Sequence, residues 1–420
     1  MGEPAQKQRR LTVLGLYWQT SFWSLGRGKG VSSFFLAPQA FARYGHAIHV
    51  SAPRGKGQPP RENDAGIEIH RYRGAIRFDS NPRRPLPIRL TSRLLRYLYY
   101  VLIGTWNGVR LARRIRPDIV IGYHYHSAAA AALVAVLLRL PNITRLFGTQ
   151  LGLLMRSRWR RLGGFMQEIA LRVPASYIIM HDDGSQGDRI AARLGVPPEK
   201  LEFWRDGYDP QMYRPDAPTA ETRQALGIPD DHLILFCVGR MTDDKHMERL
   251  VEILPAVLRE EPRVTLLLVG DGVDRPLIER RIAELDLRDH VRLTGAVPRE
   301  ALPRYFNLGD IFVGVSDRTN VNLPGIEAMS CGKPVVALDV GGTADLVRDG
   351  ETGRLIPPQL WRERLAEALL ELIGDPSRRA AMGRAARALI AREVPTIEER
   401  QRMEVELAVR AVEEWRAGRR

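Results

Sequence analysis

Cysteine is scarce in this sequence, and long uncharged apolar runs are absent. Two cysteines among 420 residues are too few for a disulfide scaffold. Cys237 lies in the apolar run ILFCVG and Cys331 at the end of a short predicted helix, so we interpret both as packing residues. No stretch reaches about 18 apolar residues without a charge, and the sequence therefore predicts no transmembrane helix.

The first residues also lack the features of targeting signals. MGEPAQKQRR precedes a short apolar run instead of the longer core of a signal peptide. Gln6 stands where the myristoylation pattern requires Ser or Thr. We therefore expect a cytoplasmic protein, and its apolar content of 44% is ordinary for a globular enzyme.

Acidic residues are scarce in the first 200 residues but not in the rest. The first part contains 31 Lys and Arg against 11 Asp and Glu, a formal charge of +20, and the remainder contains 32 against 38, a charge of −6. We therefore expect the basic half to face an anionic partner. No DNA- or RNA-binding motif accompanies the charges, so we expect no nucleic acid.

Short apolar runs alternate with amphipathic segments along the whole chain. This pattern predicts an α/β fold with two facing, doubly wound, Rossmann-like parallel-sheet domains. We expect domains over residues 1–205 and 233–394, a linker rich in Pro and Asp over 206–232, and a long charged helix over Ile397–Ala417. The predicted strands are Leu11–Leu16, Ala47–Ala52, Ile119–Gly122, Ile143–Phe147, Tyr177–Met180, Leu233–Gly239, Val264–Gly270, Val291–Thr294, Ile311–Val315 and Val335–Leu338.

The segment Asn320–Val347 combines several features of a polar binding site. Glu327 follows the turn signal Pro324–Gly325, and a short helical run then ends at Gly332. An apolar strand and the loop Gly341–Thr343 come next. A carboxylate near a helix start and a glycine-rich loop after a parallel strand predict a pocket for hydroxyl and phosphate groups.

Two cations follow the first predicted strand of the second half. This strand ends at Gly239, Arg240 comes next, and Lys245 lies five residues further on, beside the next helix start. Cations at the carboxyl end of a strand, together with the N–H groups of a helix start, predict a diphosphate clamp. A pair of solvated surface charges is the alternative.

Two further glycine-rich turns are candidates for ligand contacts. Gly270–Asp271–Gly272 ends a predicted strand and suits either a ligand cleft or a plain turn between strand and helix. Gly26, Gly28 and Gly30 come too late after the strand Leu11–Leu16, and at the wrong spacing, for a dinucleotide fingerprint. An anion-binding loop remains the favoured interpretation of these three glycines.

His124 and His126 lie directly after a predicted strand. Their spacing could suit a metal, but no third-ligand pattern such as HExxH or CxxC accompanies them. A pH-tuned or hydrogen-bonding role in a cleft is preferred, with buried structural histidines as the alternative. The Asp pairs at 182–183, 230–231 and 243–244 lack the spaced DxD form, so the sequence predicts neither a metal nor a cofactor.

Segment 83–116 mixes arginine with Leu, Tyr and Trp. Such a helix can lie in the interface of an anionic membrane, where each basic residue contributes about 1 kcal/mol. A core helix of the first domain with an arginine-rich outer rim is the alternative. Both interpretations remain open at this point.

Taken in order, these motifs resemble the retaining glycosyltransferases of family 4. The second half carries VGRMTDDK, GDG, a strand ending in TG, PGIEAMSCGKPVV and GGTADLV, and the first half carries GRGKG, RYGHAIHVSAP, RPDIVIGYH and RLGVPPEKLEFWRDGYDPQMYRP. The resemblance covers almost the whole chain and implies the GT-B fold. It implies a nucleotide-sugar donor in the C-terminal domain, an acceptor mainly in the N-terminal domain, no essential metal, and a final helix over 395–420 that crosses back to the first domain.

The resemblance also assigns roles by position. Arg240 and Lys245 would bind the donor diphosphate and stabilise charge on the leaving nucleotide. Glu327 would bind the ribose hydroxyls, and Gly28 and Gly30 would approach the donor phosphates. The other predicted substrate-binding residues are His124, His126, Gly239, Asp271, Gly272, Asn320, Asn322, Pro324, Gly325, Gly342 and Thr343.

Two positions depart from the family pattern. The family commonly has a second glutamate eight residues before Glu327, where this chain has Thr319, with Asn320 and Asn322 as the nearest polar residues. Where the family often has a histidine after the fifth strand of the first domain, this chain offers Gly148. We therefore hypothesise that Asn side chains replace a carboxylate in donor-sugar recognition.

The sequence thus predicts a peripheral glycosyltransferase on the cytoplasmic face of the membrane. It would move a sugar, with retention, from a nucleotide-diphosphate donor to a hydroxyl acceptor in cell-surface saccharide or glycolipid biosynthesis. Two alternatives stay open: a catalytically impaired, nucleotide-sugar-binding partner subunit, and a sugar-nucleotide epimerase of the same fold, which the order of the second-half motifs disfavours.

Overall fold

The computed structural model describes residues 9–20, 32–74, 86–149, 151–155, 158–216, 220–320 and 323–418. This part of the chain forms two compact units. The first unit comprises the described residues of Met1–Asp182, Gln186–Trp204 and Glu398–Arg420. The second comprises those of Asp183–Ser185 and Arg205–Ile397, so the expected linker segment falls within it.

The first unit is an α/β domain around a largely parallel sheet. Its strands are β1 Thr12–Leu16, β2 Ala47–Pro53, β3 Arg61–Asp64, β4 Ile67–Tyr72, β5 Ile119–Tyr123, β6 Asn142–Leu146, β7 Tyr177–His181 and β8 Leu201–Trp204. They lie in the order β3–β4–β2–β1–β5–β6–β7–β8, with β3 antiparallel to β4. Strands β5, β6 and β7 are buried along their whole length, which explains the apolar character of β5, whereas the buried β6 carries Arg145.

Helices cover this sheet and one another closely. They are α1 Ser32–Arg43, α2 Leu86–Ile115, α3 Tyr125–Leu138, α4 Leu151–Leu154, α5 Arg158–Gly163, α6 Phe165–Arg172 and α7 Gly187–Arg193. Helix α2 approaches α3 at Gly108, where an added Cβ would lie 2.8 Å from the Val134 side chain. The alanine-rich sequence of α3 is buried by this close packing.

The second unit is an α/β domain around a parallel sheet. Its strands are β9 Leu233–Val238, β10 Val264–Val269, β11 Val291–Leu293, β12 Ile311–Gly314, β13 Val335–Leu338 and β14 Gly353–Ile356, in the order β11–β10–β9–β12–β13–β14. Its helices are α8 Ala220–Ala225, α9 Glu248–Glu260, α10 Arg275–Glu284, α11 Leu302–Leu308, α12 Leu323–Ser330, α13 Trp361–Gly374 and α14 Pro376–Glu393.

Each sheet contains a point at which the strand order reverses. In the first unit this point lies between β1 and β5, and in the second it lies between β9 and β12. Ligands of open α/β sheets bind in the crevice beyond the carboxyl ends of the strands at such a point. A ligand site is therefore expected at the loops that follow these four strands.

The last helix, α15 Ile397–Ala417, has the predicted bounds and packs within the first unit from Glu398 onward. Its Glu404 carboxylate accepts a hydrogen bond from Nε of Arg145 at 2.8 Å and lies 3.0 Å from Nη1 of Arg400. The side chains of Arg145 and Glu404 are 3% and 4% exposed. Charges so deeply buried are tolerated because they are paired.

The ten strands predicted from the sequence are confirmed, and their bounds shift by one residue at most. The prediction missed β3, β4, β8 and β14, which are polar or very short. It was wrong about Pro324 and Gly325, which lie in the first turn of α12 and not in a turn before it. Proline fits there because the first turn of a helix does not need its N–H group.

Candidate functional site

The reversal point of the second sheet carries the two predicted phosphate-binding cations. Arg240 is exposed after β9, and Lys245 is half-buried three residues before α9. Burial lowers the pKa of the Lys245 ammonium, although the neighbouring Asp244 opposes this. In the described part of the chain, neither cation makes a hydrogen bond or an ion pair through its side chain. Both can therefore receive an anion.

The carboxylates around these cations are already bound to other groups. Asp244 accepts a hydrogen bond from the Thr242 hydroxyl at 2.7 Å and pairs with Arg318. Burial raises the pKa of Asp244, but these hydrogen bonds lower it below its usual value. Because this acid is tied to Thr242 and Arg318, the positive charge of the neighbouring clamp is not cancelled.

A second carboxylate nearby is bound in the same way. Arg249 donates to Oδ1 of Asp317 at 2.6 Å, and Nε2 of His246 lies 2.7 Å from Oδ2 of the same residue. Although burial raises the pKa of Asp317, Arg249 and His246 hold it below its usual value. Asp317 is thus an anion that orders the loop and is not available to Arg240.

The glycines after β9 and β10 are explained by close backbone packing. An added Cβ at Gly270, which has φ +140°, would lie 1.8 Å from the carbonyl oxygen of Gly239, and one at Gly272 would lie 2.1 Å from that of Met241. The N–H of Met241 donates to the carbonyl of Asp271 at 3.0 Å. The plain-turn interpretation therefore accounts for these glycines, while ligand contacts of Gly239, Asp271 and Gly272 stay a prediction.

Asn320 has a structural task that the sequence did not reveal. It is 4% exposed, and its side-chain amide donates to the Leu338 carbonyl at 3.0 Å and accepts from the Ser316 N–H at 2.9 Å. Its own N–H donates to the hydroxyl of Thr343 at 3.1 Å. The amide of Asn320 thus already serves the backbone, and its expected replacement of a sugar-binding carboxylate stays a prediction.

The glycines beside Asn320 fit the same explanation. An added Cβ at Gly325 would lie 2.3 Å from the carbonyl oxygen of Asn320, and one at Gly342 would lie 2.7 Å from the carboxylate of Asp345. Thr343 is fully buried and donates to the Val340 carbonyl at 2.6 Å. These three residues hold the loop by close packing and a hydrogen bond. Asn322 lies outside the described residues.

Glu327 is a buried carboxylate on α12, 6% exposed. Burial raises its pKa to about 7, although Arg299 and the Tyr213 hydroxyl lower it. Within the described residues no hydrogen bond of standard geometry reaches its carboxylate, which leaves it able to accept bonds from hydroxyl groups. Sequence reasoning missed Arg299 and Tyr213, since Tyr213 lies in the supposed linker and Arg299 in no motif.

The reversal point of the first sheet carries an aromatic and histidine cluster. Nδ1 of His124 lies 2.8 Å from Nδ1 of His126, and the Trp18 ring stacks on His126 with centroids 4.0 Å apart. Burial lowers the pKa of His124 to about 3 and that of His126 to about 2, so both imidazoles are neutral. Neutral rings beside an indole can bind sugar hydroxyls and stack on a sugar face.

The remaining predicted positions of this unit are accounted for as follows. Gly28 and Gly30 lie outside the described residues. Gly148 adopts φ +79° after β6, a left-handed backbone conformation that glycine reaches without strain, and the hydroxyl of Thr149 donates to the Gln167 side chain at 2.8 Å. Among the described residues, no group of three His, Cys, Asp or Glu side chains is arranged to hold a metal.

Comparison with protein families decides the identity of the chain. The family described as "Glycosyl transferases group 1" matches residues 218–389, and the "Glycosyl transferase 4-like domain" matches residues 39–207. The chain belongs to the group 1 glycosyltransferases of family 4. It is an enzyme that transfers a glycosyl group.

Curated relatives and solved structures agree with this assignment. Alpha-D-kanosaminyltransferase of Streptomyces kanamyceticus is 29% identical over 322 residues, covering 72% of this chain and 80% of its own. The GDP-mannose-dependent alpha-(1-6)-phosphatidylinositol monomannoside mannosyltransferase of Mycobacterium tuberculosis is 27% identical over 333 residues, 75% and 82% of the two chains. The crystal structure of Anabaena Alr3699/HepE with UDP and glucose superposes with a TM-score of 0.69 at 20% identity, over 95% of this glycosyltransferase and 100% of that chain.

The fold of this glycosyltransferase is GT-B, with two parallel-sheet α/β domains. Its described helices include none that is both long enough and apolar enough to span a membrane.

Proposed function

We propose that this glycosyltransferase moves a sugar, with retention of the anomeric configuration, from a nucleoside-diphosphate donor to a hydroxyl acceptor. The observation that carries the proposal is the pair Arg240 and Lys245 at the reversal point of the second sheet, whose side chains make no ion pair with any described residue. The relative from Mycobacterium tuberculosis is named as GDP-mannose-dependent, and Alr3699/HepE binds UDP. Both names support a nucleotide donor here.

Each group in the second unit has a role in this reaction. The bond between the anomeric carbon and the diphosphate oxygen breaks and its electron pair stays on that oxygen, while the acceptor oxygen bonds to the anomeric carbon and its proton passes to the departing diphosphate. Negative charge then grows on the nucleoside diphosphate, where Arg240 and Lys245 stabilise it. The carboxylate of Glu327 accepts hydrogen bonds from vicinal hydroxyls of the donor, for which its deprotonated form is required.

The acceptor is assigned to the first unit. The neutral pair His124 and His126 can donate to and accept from acceptor hydroxyls, and Trp18 offers a stacking surface. The exposed face of α2 supports an acceptor presented at a membrane, as in glycolipid or cell-surface saccharide biosynthesis. The apolar residues of this face, here called the α2 stripe, are Ile88, Leu95, Leu98, Leu102 and Trp106.

The test is turnover by the purified protein over a panel of nucleotide sugars, with the anomeric configuration of the product read by NMR. We expect hydrolysis or transfer with at least one donor. The anomeric configuration of the product, axial or equatorial, should be the same as in that donor. Nucleotide binding without turnover of any donor would favour the impaired partner subunit. An epimerised nucleotide sugar formed without acceptor would favour the epimerase.

A further inference from the structure

A cavity of about 660 Å³ lies in the first unit, away from the residues assigned to donor and acceptor. It opens between the second half of α2 and the strands β3 and β4. Its charged lining is entirely basic, and no Asp or Glu of the described residues lines it. The arginines that line it are Arg61, Arg71, Arg73, Arg110 and Arg114.

Arg71 is the buried member of this group. Its side chain has no exposure, and its Nη1 lies 2.7 Å from the Glu62 carboxylate. Among the described residues, its buried Nε and Nη2 donate no hydrogen bond. Buried guanidinium donors are costly to leave unpaired, so an anion in the cavity would be stabilised by Arg71.

The other four arginines share this lack of partners. In the described part of the chain, the side chains of Arg61, Arg73, Arg110 and Arg114 make neither an ion pair nor a hydrogen bond. Arg110 and Arg114 lie one turn apart on α2, and β3 brings Arg61 opposite His70 of β4. Like charges gathered from three elements repel one another unless an anion lies between them.

The cavity also has an apolar side that continues onto the surface. Trp106 lines it, one helical turn before Arg110, and is 71% exposed. Leu102, a further turn back, is also 71% exposed. The α2 stripe therefore leads from open apolar surface directly to the arginines, an arrangement that fits a ligand with a phosphate at one end and a chain at the other.

We propose that this cavity binds the phosphate group of an anionic lipid, whose acyl or prenyl chain follows the α2 stripe. The inference does not depend on the donor, because none of the cavity residues belongs to the donor site. The arginine fork is suited to phosphate, since it donates two parallel hydrogen bonds to neighbouring oxygens. A free phosphate compound shares the headgroup chemistry but would leave the apolar side empty.

The test uses the full chain with phosphatidylcholine vesicles that contain either phosphatidic acid or, at equal surface charge, phosphatidylglycerol. The variant Arg110→Gln/Arg114→Gln should weaken binding to phosphatidic acid vesicles about tenfold. Its matched control, Arg113→Gln/Arg116→Gln, removes the same charge from the same end of α2 outside the cavity. We expect about a twofold change for the control, by loss of general attraction alone.

Thermal midpoints and donor turnover of both variants check that they fold. In a third arm, thermal midpoints are measured with inorganic phosphate and with glycerol 3-phosphate. Equal weakening of binding by the two variants, on both kinds of vesicle, would overturn the proposal in favour of a diffuse basic surface. The soluble phosphates could instead raise the thermal midpoint of the wild type but not that of Arg110→Gln/Arg114→Gln, while both proteins bind vesicles equally. That result would replace the lipid by a free phosphate ligand.

Discussion

Many arginines in the second unit are bound to carboxylates, whereas the arginines around the cavity of the first unit are mostly not. Pairs of the second unit are Arg249–Asp317 at 2.6 Å, Arg275–Glu279 at 2.7 Å and Arg281–Glu284 at 2.7 Å. The first 200 residues have 31 basic against 11 acidic residues, so such pairing cannot be general there. An unpaired cation of the second unit is therefore informative where, as at Arg240, it also lies at the reversal point of the sheet.

In the first unit an unpaired arginine does not by itself indicate a ligand site. Arg113 and Arg116 are unpaired and exposed, and their solvated charges imply no ligand. The arginines of the cavity differ because they converge on one volume and because Arg71 is buried with free donors. Burial and convergence, more than charge alone, distinguish a binding site from a basic surface.

The largest effect should come from the paired arginines of the first unit. Glu404→Gln removes the buried carboxylate with which both Arg145 and Arg400 pair, and we expect a loss of about 3–5 kcal/mol in the free energy of unfolding. The control Glu406→Gln affects an exposed pair with Arg402 at 3.7 Å and should cost less than about 1 kcal/mol. Urea unfolding measures both, and equal losses would refute the role assigned to Glu404.

The unpaired cations of the second unit should matter for catalysis and not for stability. Arg240→Ala and Lys245→Ala are each expected to lower kcat/KM by about 10²–10³-fold, because charge on the leaving diphosphate loses a stabilising partner. The control Arg259→Ala removes an exposed cation of α9 and should stay near wild type. Losses no greater than that of the control would remove both residues from the donor site.

The buried carboxyl group of Glu327 in the second unit should make the free energy of unfolding depend on pH. The native pKa of Glu327, about 7, lies above the ordinary value of 4.5, so the native state keeps its proton where the unfolded chain has lost it. The contribution of Glu327 to the stability of the native state is therefore fully present below pH 4.5 and is lost as pH rises to about 7. Relative to Glu327→Gln, the wild type should lose on the order of 1–3 kcal/mol across this range.

Urea unfolding at the two ends of the range measures this difference. Glu363→Gln, an exposed position of α13, serves as the control and should retain the wild-type pH dependence. A parallel pH course for the wild type and Glu327→Gln would show that the carboxyl is not perturbed by burial.

The smallest effect is expected at the α2 stripe. Leu102→Ser/Trp106→Ser should lower the fraction bound to anionic vesicles about three- to tenfold, and added salt should weaken the binding of the wild type. Leu133→Ser/Val136→Ser removes exposed apolar groups of α3 as a matched control. Equal recovery of the wild type in the supernatant with anionic and neutral vesicles would rule out a membrane face.

The sequence was most informative where local pattern and burial coincide. Strands such as Val264–Val269 are buried at every residue, and continuous apolar runs make them visible without a structure. The strand Arg61–Asp64 reads REND and was missed, because an edge strand needs few apolar residues. Pro324–Gly325 was misread because the same two residues favour a turn and the first turn of a helix.

By itself, the sequence determined the α/β class and the position of Arg240 and Lys245 after a strand, since these depend on periodicity and short spacing, and the order of its motifs carried the resemblance to the family. The tertiary structure decided what each polar side chain contacts. It showed that Asn320 serves the backbone of Ser316 and Leu338, and it brought Arg61 and Arg71 to Arg110 from a distant part of the chain. Hydrogen bonds and convergent charges depend on separation in space, which local sequence patterns do not contain.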